Sequence, residues 1–413
     1  MPEGLSLEDA KASFGPRHSD LRIRPWQAYH RFRVEQPVAW IPHLNSYLAF
    51  SHAAVRSVLS SRAFTAAHHF RATRRSVGPT ILDLEDPEHR RLRHLMQPAM
   101  GMSSVRANRP RLRTIVERLL DGLPTDQPVD LVSQVTEVLP MLVLCELLGL
   151  PSSHAAWLAA TSRPIAAYLD EDGASLGNAL VQRERLAAFI DDQFLAAADN
   201  NAPLGGALLS AYRQGELSRR EAQNNVVMLF VVGTVTTICG AGAVLSCLLN
   251  QPDRYAQVAA GALATEAVVA ESLRYQPPVH FLPRFVREET ELAGVPLAPG
   301  TAVQVCLASA NRDDSVFADP DSWLPGRAGM HRALSFGYGR HGCVGGLVGE
   351  AEIVELVKAL TERFPSARAV SPVPEPAGWV LRRPAHLRVR LKPAAGHGPP
   401  AEVNANRPEE EKC

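Results

Sequence analysis

Residues 336–345, Phe-Gly-Tyr-Gly-Arg-His-Gly-Cys-Val-Gly, constrain this chain more than any other stretch. Gly337 and Gly339 permit backbone angles that are closed to other residues, so the segment can turn sharply around Cys343. Apolar residues recur after it at helical spacing, which places Cys343 at a helix start. The unpaired N–H groups and positive partial charge of a helix start favour a thiolate over a thiol. The pattern predicts a loop that presents a cysteine thiolate to a metal ion.

This decapeptide resembles the haem-ligand signature of the cytochrome P450 family, Phe-x-x-Gly-x-x-x-Cys-x-Gly. It matches at Phe336, Gly339, Cys343 and Gly345, and His341 fits the bacterial form of the motif. The resemblance implies a non-covalent haem b with Cys343 as its axial ligand, and a thiolate on haem iron favours O–O cleavage. The alternative is that Cys343 is a buried, unreactive side chain, the usual state of a free cysteine.

Residues 86–93, Asp-Pro-Glu-His-Arg-Arg-Leu-Arg, resemble the start of the family's C helix. His89 and Arg93 lie four residues apart and would share one helix face. The alternative for such a charge run is a solvated basic helix. With Arg284 and His341 these side chains are expected to donate hydrogen bonds to the two haem propionates. The resemblance thus assigns to haem contact the residues His89, Arg93, Arg284, Phe336, Gly337, His341 and Gly345.

The segment from Val226 to Leu249 contains no charged residue and is long enough to span a bilayer. Its interior is rich in glycine, threonine and serine, and no second such segment accompanies it. A helix that is apolar on all sides can also form the buried centre of a large protein. We therefore expect a central core helix and no membrane association.

Residues 232–237 in the middle of this segment, Val-Gly-Thr-Val-Thr-Thr, resemble the family's oxygen-binding motif, Ala/Gly-Gly-x-Asp/Glu-Thr-Thr. The resemblance implies that Gly233 opens the helix beside bound dioxygen. Thr236 would donate a hydrogen bond to the dioxygen, and Thr237 is the next residue of the motif. Val235 stands where the family has an acid, which puts ordinary proton delivery in doubt. The alternative is that a hydroxyl or water chain, through Thr234, performs the same task.

Glu271-Ser272-Leu273-Arg274 places a carboxylate and a guanidinium on one helix face, just before Pro277-Pro278 ends the helix. Alone this is a common surface pair. Followed at family distance by residues 323–327, it resembles the Glu-x-x-Arg core of the family, in which Arg327 would be the third member of a buried ion network. Its expected role is structural.

Substrate contacts are expected, by analogy with the family, from mainly apolar segments. A hydrophobic, drug-sized substrate therefore fits the chain better than a small charged one. Phe281, Leu282 and Trp379 are equally compatible with a plain core position. The expected contacts are Phe230, Val231, Val279, Phe281, Leu282, Trp379 and Val380.

Helical periodicity dominates residues 87–274, while strand patterns occur at 38–50, 285–305 and 386–391. This distribution predicts an α+β protein that is mainly helical, with small sheets segregated to one side. The resemblance implies the triangular cytochrome P450 fold. We expect one haem-thiolate oxidase domain over residues 1–393 and a polar, disordered tail over 394–413.

The charge balance argues against a nucleic-acid partner, because 43 Lys and Arg residues equal 43 Asp and Glu residues. The six cysteines form no CxxC pair and no CxxCH motif for covalent haem. We read these as reduced thiols of a cytoplasmic protein. The N-terminus lacks the basic flank and apolar run of a signal peptide.

The resemblance implies a soluble, actinomycete-like monooxygenase that hydroxylates, epoxidises or oxidatively couples a medium-sized, largely apolar organic molecule in bacterial specialised metabolism. Electrons are expected from a ferredoxin and its ferredoxin reductase, because the chain shows no flavin or iron–sulfur segment. Two alternatives stay open: peroxide or nitric oxide chemistry, which Val235 would mark, and a haem-binding module without turnover. A positive patch facing the ferredoxin is expected from Arg90, Arg91, Arg106, Arg109, Arg111 and Arg340.

Cys343 is predicted to be the axial ligand, so its replacement by serine should remove the thiolate character of the bound haem. The measurement is the carbon monoxide difference spectrum of the reduced protein. Cys343→Ser should lose the thiolate-type Soret band, whereas Cys145→Ser and Cys247→Ser should retain it. A purified parent protein that binds no haem would contradict the assignment.

Overall fold

The computed structural model describes residues 7–394 apart from 16, 18 and 171–173, and its architecture is mainly helical. The expected disordered tail lies outside the described residues except for residue 394. The α-helices of the described residues are α1 Leu7–Ser13, α2 Ser19–Ile23, α3 Trp26–Glu35, α4 His52–Ser60, α5 Ala72–Ser76, α6 Glu88–Met100, α7 Met102–Asp121, α8 Leu139–Leu148, α9 Ala155–Asp170, α10 Leu176–Phe189, α11 Pro203–Arg213, α12 Arg219–Met228, α13 Thr234–Leu249, α14 Pro252–Ala259, α15 Thr265–Tyr275, α16 Leu307–Ala310 and α17 Gly346–Arg363.

The strands form small sheets of five, three and two strands, which confirms the predicted α+β class. The largest has the order β1-β2-β8-β5-β3, the second β4-β10-β9 and the third β6-β7. The strands are β1 Val38–Ile41, β2 Ser46–Ala49, β3 Phe64–Thr65, β4 Val129–Asp130, β5 Phe281–Val286, β6 Thr290–Leu292, β7 Val295–Leu297, β8 Ala302–Cys306, β9 Ser366–Ala369 and β10 Arg388–Lys392.

The expected hairpin is formed by β1 and β2, which pair antiparallel through a turn that ends at Asn45. Asn45 has a φ of 45°, a left-handed conformation that asparagine tolerates better than most residues. The two-residue strand β4 lies within residues 87–274, where the sequence predicts mainly helix. Two residues are too few to show strand alternation, so the sequence carried no signal for β4.

The central helix is a nearly continuous element over residues 219–249, in which a π-helical turn, Leu229–Gly233, joins α12 to α13. It is long and apolar enough to cross a membrane, but 72% of its most apolar window is buried inside the protein. This agrees with the expected core helix. The Ser218 hydroxyl and the Glu221 side chain form a capping box that fixes where the helix starts.

Helix α17 packs closely against α13, and glycines set the distance between them. A Cβ on Gly240 would lie 3.1 Å from Ile353 Cδ1, and one on Gly349 would lie 3.5 Å from Thr237 Oγ1. A side chain at residue 240 would require Ile353 to shift by a few tenths of an ångström, and a Cβ at residue 349 would be in van der Waals contact with the central helix. The cysteine loop, which leads directly into α17, is thereby held against the middle of the central helix.

A buried ion network ties α15 to the segment that precedes the cysteine loop. Glu271 accepts two hydrogen bonds from Arg274, at 2.7 and 2.8 Å, and one from Arg327 Nε at 3.2 Å. Glu271 and Arg274 are fully buried, so loss of either partner would leave an uncompensated charge, at a cost of about 3–5 kcal/mol. The structure thus places the three predicted members together.

Candidate active site

A cavity of about 260 Å³ lies between the central helix, α17 and the cysteine loop. Side chains of α6 and α8, the residues before β5 and the loop at residues 81–82 complete its wall. Most of the lining is apolar, and its basic side chains lie on α6 and the cysteine loop. The cavity therefore has one charged region and a larger apolar one.

The cysteine loop has the sharp turns that its glycines predict. Gly337 and Gly339 have φ angles of 70° and 72°, a region that side chains other than glycine rarely adopt. A Cβ on Gly339 would also lie 2.7 Å from the Leu59 carbonyl oxygen. The loop closes through a hydrogen bond of 2.8 Å from the Cys343 N–H to the Phe336 carbonyl oxygen, which fixes the cysteine at the cavity wall.

Cys343 is exposed and lines the cavity, whereas the other cysteines of the described residues are buried. Desolvation raises the pKa of its thiol, although the Gly345 N–H and the charge of Arg93 act to lower it. Burial thus acts against the helix start and the charge of Arg93, which favour the thiolate. A metal ion would supply the missing charge, because a coordinating thiol is deprotonated outright.

Two histidines and two arginines gather near the cysteine loop. His89 and His341 have ring centroids 4.3 Å apart, and Arg93 donates to the Gly342 carbonyl oxygen at 2.8 Å. Arg284 is 5% exposed and donates to the carbonyl oxygen of its neighbour Pro283. Of the four residues that the sequence assigned to the haem propionates, His89, Arg93 and His341 line the cavity, whereas Arg284 does not and lies near Glu85 and Arg340.

These groups leave hydrogen-bonding capacity unused. Both ring nitrogens of His341 are buried without a hydrogen-bond partner. Burial lowers the pKa of Arg284 to about 10, so it keeps its charge at neutral pH, while burial lowers the pKa of His89 to about 4 and leaves it neutral. Buried donors of this kind fit an anionic group that enters the cavity beside Cys343. Phe336, Gly337 and Gly345 line the same cavity.

Glu85 was missed by sequence reasoning and lies directly behind His341. Its Oε1 is 3.6 Å from His341 Nε2, and its Oε2 is 3.7 Å from Arg340 Nη2. The carboxylate accepts hydrogen bonds from Thr65 Oγ1 at 2.7 Å and from the Ala66 N–H at 2.8 Å. The only sequence signal was its position immediately before the Asp86-Pro87 motif.

In the central helix, Gly233, Thr236 and Thr237 line the cavity, whereas Thr234 and Val235 do not. No atom lies within 4 Å of a Cβ placed on Gly233, so the helix is open there, at the end of its π-helical turn. The Thr236 and Thr237 hydroxyls donate to the Val232 and Gly233 carbonyl oxygens at 2.9 and 3.0 Å. Their oxygen lone pairs stay available to a ligand.

Of the seven expected substrate contacts, Val279 and Leu282 line the cavity and the other five do not. Phe230 and Val231 are fully buried on another face of the central helix, because Leu229, Val232 and Thr236 take the helical positions that face the cavity. Phe281 and Trp379 stack on each other at 4.7 Å within an aromatic core, and Val380 packs against the same core.

The cavity is also lined by residues that the sequence analysis did not predict. Met228 and Leu229 precede the predicted motif by a turn, and Pro140, Val143 and Leu144 belong to α8. Helix α8 is apolar on nearly every side, so its sequence gives no sign of which face meets a ligand. Only the packing of α8 against the central helix selects that face.

Glu352 of α17 is a buried carboxyl group in the cavity wall. Its Oε1 has no hydrogen-bond partner, and desolvation raises its pKa to about 8. It is therefore mainly protonated at neutral pH. Its sequence position, three residues after Gly349 on the face of α17 that meets the central helix, is the one feature that could have indicated it.

The expected arginine patch carries less net charge than its residues suggest. Five of its six arginines pair with carboxylates, for example Arg90 with Asp86 at 2.7 Å and Arg111 with Glu146 at 3.3 Å. Arg91, Arg109 and Arg340 also have carboxylate partners. Nearby carboxylates thus neutralise most of the positive charge of these arginines.

Comparisons with known proteins agree with this geometry. A model of the family "Cytochrome P450" matches residues 263–388. Nocardicin C N-oxygenase of Nocardia uniformis subsp. tsuyamanensis is 32% identical over 384 residues, covering 87% of this chain and 94% of that protein. Erythromycin C-12 hydroxylase of Saccharopolyspora erythraea is 30% identical over 345 residues, covering 80% and 85%. The crystal structure of CalO2 superposes with a TM-score of 0.85 at 26% identity, covering 92% of this chain and 99% of that one.

Glu352 predicts a specific pH dependence of stability. Its folded pKa of about 8 lies above the unfolded value of about 4.3, so the folded state binds the extra proton between these values. The contribution is fully present below pH 4.3 and is lost as the pH rises through 8. Glu352→Gln cannot ionise, so it does not lose stability in this way. Its thermal midpoint minus that of the parent should therefore be higher at pH 9 than at pH 5. The change corresponds to a few kcal/mol in the free energy of unfolding.

The measurement is the thermal midpoint from circular dichroism at both pH values. Glu362→Gln, an exposed change on the same helix, serves as the control, and its difference from the parent should not vary in this way. A difference between Glu352→Gln and the parent that stays constant with pH would contradict the prediction.

Proposed function

Because the chain belongs to the cytochrome P450 family, we propose that it oxidises a medium-sized, largely apolar organic molecule by hydroxylation, epoxidation or oxidative coupling. It is a haem-b monooxygenase of bacterial secondary metabolism. The single observation that supports the substrate class is the wall of the cavity: apart from the region around His89, Arg93 and His341, its side chains are mainly apolar. An ionised ligand group there would lose its hydration without gaining a partner.

The residues of the cavity fit the haem that the family requires. Cys343 would be the axial ligand, and His89, Arg93, Arg284 and His341 would hold the propionates. The unpartnered nitrogens of His341 and the nearly unpaired Arg284 support this assignment, which we keep as a proposal. When bound, the haem supplies the thiolate-assisted O–O cleavage chemistry of the family.

The chain's own residues would then orient the reactants and exclude water. The Thr236 hydroxyl, tied to the Val232 carbonyl oxygen, offers its lone pairs to a ligand beside the opened helix at Gly233. Leu229 and Leu282 line the cavity and would keep water away from the substrate. The position of the substrate in the cavity, rather than a charge on the substrate, would therefore select the atom that is oxidised.

The substrate proposal is tested by titrating the haem-loaded enzyme with pairs of probes that differ in one charge, such as terpenoid amides and the matching carboxylates. Saturable changes in the Soret band report binding in the cavity. The neutral member should bind at least about tenfold more tightly, because a buried lone carboxylate is costly. Leu282→Ala should weaken binding, whereas Val380→Ala, outside the cavity, should not. Equal affinity for both members would overturn the proposal.

Electrons come from a separate redox partner, as in the family, and we propose a ferredoxin with its reductase. The support is the set of arginines that includes the exposed Arg90, Arg106 and Arg111. Since most of them have carboxylate partners, the expected electrostatic steering is modest. We also propose a cytoplasmic location, which suits the reduced, buried cysteines.

A second candidate chemistry, turnover with peroxide, is favoured by Val235. An isopropyl group neither donates nor accepts protons, and the hydroxyl of the neighbouring Thr234 is already used by the Phe230 carbonyl oxygen at 2.6 Å. Peroxide brings its own protons and electrons, so it would make a relay at residue 235 unnecessary. The alternative of a haem-binding module without turnover has no such observation in its favour.

If proton delivery limits the enzyme, Val235→Glu should raise the product formed per NADPH consumed, because it restores a carboxyl group at this position. The deciding measurement is this coupling ratio, with peroxide-driven turnover measured beside it. Thr236→Ala is the reference for loss of coupling, and Val235→Gln matches the size of the new side chain without its acid. A parent that is already tightly coupled with NADPH would contradict impaired delivery.

A further inference from the structure

We propose that the Glu85 carboxylate lowers the reduction potential of the haem, because it places a fixed negative charge among the cations expected to hold the propionates. The inference concerns a residue outside the assigned haem contacts. It depends on the haem but on neither the substrate nor the redox partner.

Glu85 is held in place by the edge strand of the largest sheet. Thr65 Oγ1 and the Ala66 N–H donate to Oε1 at 2.7 and 2.8 Å, and Thr65 pairs with Phe285 of β5. Arg284, which precedes Phe285 in β5, belongs to the expected propionate site. The carboxylate thus has a defined position at the side of that site and is only 19% exposed.

Basic side chains from separate elements face the Glu85 carboxylate. His341 and Arg340 of the cysteine loop lie 3.6 and 3.7 Å from its oxygens. Arg71, beside α5, and Arg284 interact with it at longer range, and Arg71 is also 3.4 Å from Asp83. Glu85 therefore uses part of the positive charge that the propionates would otherwise meet.

The carboxylate is ionised in this environment. Burial acts to raise its pKa, but His341, Thr65 and the Ala66 N–H outweigh burial and hold the pKa of Glu85 well below its usual range. Its charge is thus constant over the working pH range of a protein. No titration is needed for the effect.

One-electron reduction of ferric haem adds a negative charge to the group and breaks no bond. A carboxylate nearby disfavours that added charge by Coulomb repulsion, and the partly buried setting weakens solvent screening. Glu85 would therefore favour the ferric state and make the first electron from the redox partner harder to accept. Removing its charge should shift the potential upward.

The competing explanation is that Glu85 only tethers the strand β3 to the start of α6. Thr65→Val separates the two roles, because it removes the 2.7 Å hydrogen bond but keeps the carboxylate. Glu88→Gln is the matched control, since it removes the same charge three residues away at an exposed position. Glu85→Asp retains the charge on a shorter side chain.

The experiment is potentiometric titration of the haem-loaded, substrate-free protein with dithionite and redox mediators. Glu85→Gln should lower the ferric-to-ferrous ratio at fixed potential by about threefold or more, roughly a 28 mV rise for a one-electron couple. Glu85→Ala, a second variant without the charge, should shift in the same direction. Glu88→Gln, Thr65→Val and Glu85→Asp should stay close to the parent.

Unchanged potentials in Glu85→Gln and Glu85→Ala would overturn the proposal. So would an equal shift in Thr65→Val, which would make the effect structural. Because no substrate is present, failure of this inference leaves the proposed substrate class untouched. Conversely, failure of the substrate titration does not alter these potentials.

Discussion

The rest of the active site depends on the buried ion network of α15. Arg274, besides pairing with Glu271, donates to the Asn311 carbonyl oxygen at 2.7 Å. The Asn311 side chain then accepts from the Leu334 N–H and donates to Ser335 Oγ, at 2.7 and 2.9 Å. These contacts lead without interruption to Phe336, where the cysteine loop begins. These contacts support the position of Cys343 from α15, and a weakened network would loosen the cysteine loop.

The separation of charge inside the cavity decides what it can hold. Basic side chains line it on α6 and the cysteine loop, with Arg284 of β5 close by, while mainly apolar side chains cover the central helix and α8. A haem has two carboxylates at one edge of an apolar macrocycle, so its polarity matches this arrangement. Buried cations without an anion would be costly, as the lowered pKa of Arg284 shows. A bound haem would therefore complete the charge balance of the fold as well as supply the chemistry.

The features predicted correctly from the sequence are those that local residues determine. The hairpin around Asn45 and the glycine turns of the cysteine loop follow from backbone preferences. Expected substrate contacts lie outside the cavity where a helix or strand has apolar residues on several faces. Phe230 and Val231 fit a cavity or a core equally well by composition, and only the rotation of the packed central helix assigns them to the core. Phe281 and Leu282 are adjacent in a strand and therefore point to opposite faces, so that Phe281 lies in the core and Leu282 lines the cavity.

Carboxylates show why partners distant in sequence decide the chemistry. Glu85 accepts hydrogen bonds from Thr65 and the Ala66 N–H, lies 3.6 Å from His341, and stays ionised. Glu352 meets no donor at its Oε1, so burial keeps it largely protonated, with a pKa of about 8. At residue 235, where an acid was expected, there is a valine. The site thus retains acidic groups but lacks the one beside Thr236. Glu85 and Glu352 are the same residue type and differ only in their surroundings. Proton supply and charge tuning therefore have to be assigned from three-dimensional contacts.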